Sequence, residues 1–428
     1  MLTANSLRRV AIIGGCRIPF ARANTAYAEA SNQDMLTAAL QGLVDRHKLH
    51  GERLGEVVAG AVLKHSRDFN LTRESVLSTT LDHATPAYDV QQACGTGLEA
   101  ALLVANKIAL GQIEVGIAGG VDTTSDAPIA INERLRKVLM KANRGKTTGQ
   151  KLAALAAIRP RMLMKPELPR NSEPRTKLSM GEHCELMAKR WNIARAAQDE
   201  LACASHRNLA ATYARGFFTD LMVPFRGLTR DNNLRPDLSM EKLAALKPAF
   251  DKHGGTLTAG NSTPLTDGAA VVLLATEDWA RAHNLLILAY LRAGETAAVD
   301  FVNGDEGLLM APAYAVPRLL EKLGIMLQDF DFYEIHEAFA AQVLCTLAAW
   351  EDAGYARDRL KLDTPPGPID RTKLNVAGSS LGTGHPFAAT GGRILATLAK
   401  LLAEKGKGRG LISICAAGGQ GVVAVVER

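Results

Sequence analysis

The sequence predicts an α/β protein made of two similar halves separated by a region of different character. Three observations carry this expectation. Short apolar strands alternate with apolar helices, the pattern of sheets covered by helices. The order of elements near the N-terminus returns near the C-terminus, as in an internal duplication. Between them, roughly residues 132–255, most of the prolines that precede the C-terminal half accompany a long basic run, which reads as an inserted domain.

Taken in order, Val10–Gly15 (VAIIGG) reads as a buried strand ending at glycines. Asp34–His47 has helical periodicity, and Val57–Leu63 is another strand. Tyr88–Gln91 is a brief strand that stops before Ala93-Cys94-Gly95-Thr96-Gly97. Leu98–Leu110 is an almost uncharged helix, expected to be buried on most sides. Val115–Ala118 follows as a strand ending in Gly119-Gly120. Ala259–Thr276 returns to the core as a turn and a buried strand. Asp331–Ile335 is a strand running into His336-Glu337-Ala338-Phe339-Ala340. Gly384-His385-Pro386 opens the helix Ala388–Ala403, and KGKGRG leads to the strand Leu411–Cys415 and then Ala416-Ala417-Gly418-Gly419. Cys94 and His385 thus both occupy glycine-flanked turns that open apolar helices. Each helix is followed by a strand and an Ala-Gly-Gly tripeptide (118–120 and 417–419), an alignment that sets Gly116 against Cys415.

Composition sets limits. The 428 residues allow two or three domains, and 47% hydrophobic with 22% charged residues is an ordinary globular balance. A net charge of +6 is too weak for a nucleic-acid binder. It suits an anionic ligand or surface, or carries no functional meaning. The six cysteines form no C-x-x-C pair and match no zinc spacing, so free thiols in a reducing compartment are expected, and a cytoplasmic location with them. MLTANSLRR lacks the apolar stretch of a secretory leader, and no run approaches the length of a membrane span.

Four residues invite chemistry. Cys94 sits at a helix opening, where the macrodipole favours thiolate and free amides would hold an oxyanion. The glycines beside it would let a substrate approach the backbone. The alternative is a buried structural cysteine. His385, between Gly and Pro, would take the thiol proton, or would merely cap a turn. Cys415 would carry a proton to or from a substrate carbon, or would be a core residue of its strand. His336-Glu337 does not extend to HExxH, because position 340 is Ala340, so no metal is expected there. No strand–GxGxxG–helix fingerprint appears either. A doubled fold would bring equivalent turns together at its pseudo-twofold axis, with Cys94 and His385 facing each other and His336 and Cys415 at neighbouring strand ends.

These blocks resemble the thiolase family: QQACGTG around Cys94, YEIHEAFAAQ around His336, GSSLGTGHPFAATG around His385 and CAAGGQG from Cys415. AGNSTPLTDGAA and VAIIGGCRIPFAR also fit, so the resemblance spans essentially the whole chain in order. Most thiolases carry Asn where His336 stands, and C-x-G where Cys415-Ala416-Ala417 stands. Those two departures and the basic segment 134–165 resemble the thiolase subunit of fatty-acid oxidation complexes.

The resemblance implies a five-layered αβαβα core of two halves, 1–131 plus 256–284 and 285–428, with a loop domain at 132–255. It implies a 3-ketoacyl-CoA thiolase with Cys94 as nucleophile, His385 as its base and Cys415 as the second acid–base. Oxyanions would be held by the His385 and His336 side chains and by the amides of Cys94 and Ala417. Met180 and Thr263 would contact the pantetheine of coenzyme A, which is a substrate; no bound cofactor is expected. A homodimer or dimer of dimers is implied. The mix of basic and apolar residues at partly helical spacing in 134–165 reads either as a docking face for a membrane surface or a hydratase/dehydrogenase subunit, or as a solvated surface helix with a few residues near the coenzyme A phosphates. The competing readings are a biosynthetic acetoacetyl-CoA thiolase, a condensing ketoacyl synthase and a catalytically silent scaffold. A synthase lacks the second cysteine, and a scaffold has no need of all four residues.

Overall fold

The computed structural model describes residues 7–428. The first six residues, part of the stretch read above for a leader, lie outside the described residues. Among the described residues there are ten strands: β1 (Val10–Arg17), β2 (Ala21–Arg22), β3 (Glu56–Ala59), β4 (Ala87–Asp89), β5 (Val115–Asp122), β6 (Thr266–Thr276), β7 (Ala289–Ala298), β8 (Phe332–Ile335), β9 (Arg409–Ala416) and β10 (Gln420–Glu427). They run in the order β4-β3-β5-β6-β1-β7-β10-β9-β8, with β2 alongside β6. β1 joins the two halves through a short antiparallel register, Val10 opposite Leu291 to Ile12 opposite Ala289.

The alternation of side chains along each strand generates the layers. In the first half Ile12, Val58, Ala118 and Val272 face inward, where they meet the helix Thr96–Ala109. In the second half Ile412, Ile414, Val422 and Ala424 face the same core through the helix Thr390–Lys405. The outward residues Val57, Ile117, Val271 and Leu273 pack on the helix Asn32–His47. Leu411, Val423 and Val425 pack on the helices Ala311–Leu323 and Ala340–Glu351. The result is helix, sheet, two central helices, sheet, helix: the five layers that the resemblance implied.

Duplication is real, but its register differs from the one read from the sequence. β3 and β5 pair in parallel with Glu56 opposite Gly116, as β8 and β9 pair with Phe332 opposite Gly410. β6 and β10 then add antiparallel to β5 and β9, and β1 and β7 follow. Gly116 is therefore the counterpart of Gly410, and Val121 is the counterpart of Cys415. The two Ala-Gly-Gly tripeptides are not equivalent. Gly119 and Gly120 lie inside β5, where an added Cβ would come within 2.2 Å of the Ala270 and Ala388 carbonyl oxygens. Gly418 and Gly419 instead form the β9–β10 turn in left-handed conformation, at φ 78° and 71°.

Between β5 and β6 the chain contributes no strand to the sheet. Part of this stretch is continuous with the core, since Leu209, Phe217 and Phe218 join the central cluster. The basic run is helical over Glu133–Arg144 and Thr148–Leu155, and in the first of these helices only Leu135 and Ala142 are buried. Among the described residues, no helix is long and apolar enough to cross a membrane.

Candidate active site

The two central helices open against each other, and glycine makes that possible. A Cβ on Gly97 would lie 2.6 Å from the Ala388 carbonyl oxygen, and one on Gly391 would lie 2.1 Å from the Leu98 nitrogen. Gly95 is equally enclosed, by Gln92 and Val422. The glycines after Cys94 thus serve backbone packing between the halves, not substrate approach as expected, because protein already fills the space beside them. Their packing sets the Cys94 turn against the His385 turn.

The Cys94 turn is strained. Ala93 has φ 46°, in the left-handed region that a residue with a Cβ enters only at a cost of about 1–3 kcal/mol. Thr96 holds the turn shut: its hydroxyl donates to the Ala93 carbonyl (2.7 Å) and accepts from the Gln92 amide (2.9 Å). The strain lifts Cys94 off the strand direction at the helix opening, the geometry of a nucleophile elbow.

Cys94 Sγ lies 3.1 Å from His385 Nε2. The other ring nitrogen, Nδ1, is 2.6 Å from Thr390 Oγ1, and the His385 amide donates to Thr266 Oγ1 at 2.7 Å. The loop after His385 is tied to the first half through Asp122, which accepts from Ala388 N–H at 2.9 Å and from Val62 and Leu63 N–H at 2.9 and 2.8 Å. His336 stacks obliquely on His385, with ring centroids 4.1 Å apart. Donor atoms of Cys94, His336 and His385 all lie within 4.8 Å of one another. Three such groups are a conceivable metal set, but the 3.1 Å sulfur–nitrogen contact is that of a thiol on an imidazole.

Cys415 is not part of that trio. It stands next to last in β9 and is near enough that charge on Cys94 adds to burial in raising its thiol. His336, His385 and Cys415 are buried, while Cys94 is half-buried, so the nucleophile candidate is the one of the four with an open side. Met180, at the start of the helix Met180–Arg190, packs on the apolar cluster that contains Cys415. Thr263 sits against the His336 loop, and its amide and hydroxyl both donate to the Ala338 carbonyl, at 3.1 and 3.0 Å.

Electrostatics fix the resting state. Burial pushes the Cys94 thiol up to about 12, and the amides of Ala417 and of Cys94 itself pull it partly back. Burial, then Arg393, lowers His385 to about 3. His336 is held far below the usual imidazole range by burial, His385 and Arg393. The resting pair is therefore a thiol beside a neutral imidazole. This corrects the expectation of a standing thiolate: desolvation outweighs the positive helix end. The two amides on Cys94 Sγ are those that would receive an oxyanion formed there.

Sequence reasoning missed four supporting residues. Glu337 accepts from Ser205 Oγ (2.7 Å), Asn375 Nδ2 (2.7 Å) and Leu381 N (3.1 Å), which pins the His336 loop. Ser380 lies on His336 Nδ1, and Thr390 on His385 Nδ1. Arg393 is the one charged residue on the buried face of its helix, and a cation between two glycines and an apolar run was the one visible signal.

A reachable thiol on a buried neutral histidine, with amides converging on the sulfur, lies where two duplicated α/β halves meet, and makes Cys94 the candidate nucleophile of an enzyme site. The thiolase N-terminal domain model matches residues 10–278 and the thiolase C-terminal domain model matches residues 285–428. The chain belongs to the thiolase family and is an acyltransferase. It is 40% identical over 425 residues to the 3-ketoacyl-CoA thiolase of Shewanella sp. (strain W3-18-1), covering 98% of this chain and 97% of that one. Identity and coverage are the same for the 3-ketoacyl-CoA thiolase of Shewanella sediminis (strain HAW-EB3). Among solved structures, the Bacillus anthracis acetyl-CoA acetyltransferase superposes with a TM-score of 0.82 at 30% identity, over 99% of this chain and 100% of that one.

Proposed function

We propose that the protein is a 3-ketoacyl-CoA thiolase that cleaves 3-ketoacyl-CoA with coenzyme A to acetyl-CoA and a shortened acyl-CoA. The observation that carries this reading is the Cys94 thiol, 3.1 Å from His385 and flanked by His336 and the Ala417 amide. Coenzyme A is a substrate here, and no resident cofactor takes part.

In this reading, His385 Nε2 takes the Cys94 proton as sulfur attacks the 3-keto carbon of the bound substrate. The oxyanion is met by the amides of Cys94 and Ala417 or by the side chains of His385 and His336. Its collapse breaks the bond between carbons 2 and 3. Cys415 gives its proton to the departing acetyl-CoA carbanion, and the acyl group stays on Cys94 as a thioester. Cys415, now a thiolate, takes the proton of incoming coenzyme A, whose sulfur attacks the thioester. Cys94 leaves and recovers its proton from His385. Ala417 offers the same amide that a glycine would, so the departure from C-x-G does not remove a donor. Met180 and Thr263 are assigned to the pantetheine arm.

The same reading places the enzyme in fatty-acid β-oxidation, in the cytoplasm, as a homodimer or dimer of dimers. Its halves are 1–131 plus 256–284 and 285–428, with the loop domain at 132–255. Segment 134–165 is assigned to contact with a membrane surface or a hydratase/dehydrogenase subunit.

The test is cleavage of acetoacetyl-CoA and of a long-chain 3-ketoacyl-CoA by coenzyme A, in wild type and in Cys94→Ala. Activity with the long-chain substrate that disappears on substitution is the expected result. Preference for acetoacetyl-CoA would favour a biosynthetic thiolase, and no turnover of either substrate would favour a silent scaffold.

A further inference from the structure

The geometry points to Ser380 and Arg393 as positioning residues that hold His336 as the neutral imidazole with its proton on Nε2, so that the ring donates a hydrogen bond to the substrate oxyanion. This deepens the proposed function and rests on it for the identity of the oxyanion.

The three side chains are aligned and buried, His336 and Ser380 at 0% exposure and Arg393 at 3%. Ser380 Oγ lies 2.8 Å from His336 Nδ1 and accepts an N–H of Arg393 at 3.0 Å. A guanidinium only donates, so Ser380 must be the acceptor in that contact. The serine hydrogen then needs an acceptor of its own, and His336 Nδ1 is the partner it has. With its lone pair occupied there, Nδ1 carries no proton and Nε2 does. In the reverse tautomer Nδ1–H would donate to Ser380, and a buried hydroxyl hydrogen would have no acceptor, which folded proteins avoid.

His336 Nε2 itself has no protein hydrogen-bond partner although it is fully buried. Its ring lies against His385, in the trio that includes the Cys94 thiol. An N–H at that position is an unused donor beside the nucleophile. Arg393 acts a second time through its charge, which, after burial and His385, opposes protonation of His336. Glu334 adds no competing acceptor in hydrogen-bond reach, since neither of its carboxyl oxygens has a protein partner. An asparagine amide at this position would carry a fixed N–H. A histidine presents either an N–H or a lone pair, and the Arg393–Ser380 relay decides which.

The test uses the full-length enzyme labelled with 15N on its histidine ring nitrogens, the His336 signals being assigned by their loss in His336→Ala. In wild type at neutral pH, Nδ1 of His336 should be unprotonated and Nε2 protonated. Ser380→Ala should release the tautomer and lower kcat by roughly 100-fold with KM little changed. In the His336→Ala background the same substitution should leave kcat where it was. An Nδ1–H tautomer in wild type would overturn the inference, as would an equal loss from Ser380→Ala in both backgrounds. If Ser380→Ala does not fold, the wild-type spectrum alone decides. The spectrum needs no turnover, so failure of this inference is separable from failure of the thiolase reading, which would appear in the wild-type assay.

Discussion

Cys94 and His385 form a pair in which neither member carries charge at rest, and this has a measurable signature. The His385 value of about 3 lies below that of a free imidazole, about 6.5. Lowering the pH through 6.5 therefore leaves the ring neutral and able to take a proton, and that ability is lost only as pH approaches 3. Cys94 at about 12 lies above a free thiol, about 8.5, so raising the pH through 8.5 creates no standing thiolate. Alkylation of Cys94 by iodoacetamide should accordingly show no plateau above 8.5, its rate still climbing as pH rises toward about 12, and should fall sharply in His385→Ala. A sigmoid rise centred near 8.5 in wild type would show an ordinary exposed thiol instead. Much at this scale was legible: a Cys and a His, each at a glycine-flanked helix opening, announced themselves. Ser380 and Thr390 did not, because a serine or threonine acquires such a role only from what lies across the fold.

The elements that bring this pair together are two helices whose first turns meet backbone to backbone. An alanine at Gly391 would need its Cβ 2.1 Å from the Leu98 nitrogen, so the helices must separate or tilt. Gly391→Ala should cost about 1–3 kcal/mol of stability by overpacking. It should also lower kcat, because any separation lengthens the Cys94–His385 contact. Urea unfolding together with the cleavage assay checks both effects; unchanged stability would mean that the contact has slack. β1, β3 to β6, β8 and β9 were legible as short strands, but their register was not, and β2 and β10 went unread. Ala-Gly-Gly occurs in both halves, once inside β5 and once in the β9–β10 turn, and only strand pairing distinguishes the two uses. β7 escaped notice because its residues alternate imperfectly between buried and exposed, with Arg292, Glu295 and Thr296 in its interior.

At the scale of the whole molecule, exposed large apolar side chains are scattered, but one stretch of chain carries many of them. Ile129, Leu152, Leu163, Met164 and Leu168 are 60–77% exposed, on a stretch whose residues 134–165 hold ten Lys or Arg and no Asp or Glu. Exposed apolar side chains among cations are the composition of a surface that meets anionic lipid. Vesicles containing anionic phospholipid should bind the protein at low salt, release it as ionic strength rises, and fail to bind a variant lacking the segment. Retention at high salt, or binding that survives the deletion, would count against the assignment.

The long excursion between β5 and β6 also orders events in time. β6 is the central strand of the first half, since β1, β2 and β5 all pair with it, and Val10 lies opposite Thr276. During synthesis β1 must wait without either of its sheet neighbours, and β5 with β3 alone, until residue 276 has been made. Closing so long a loop costs entropy before any contact returns it, which slows folding. The second half draws its four main-sheet strands from residues 289–427, and its β9–β10 hairpin closes across a short turn. The half that is translated last is therefore the one equipped to fold quickly, and the nascent N-terminal strands pass through an interval in which their edges are open to other chains.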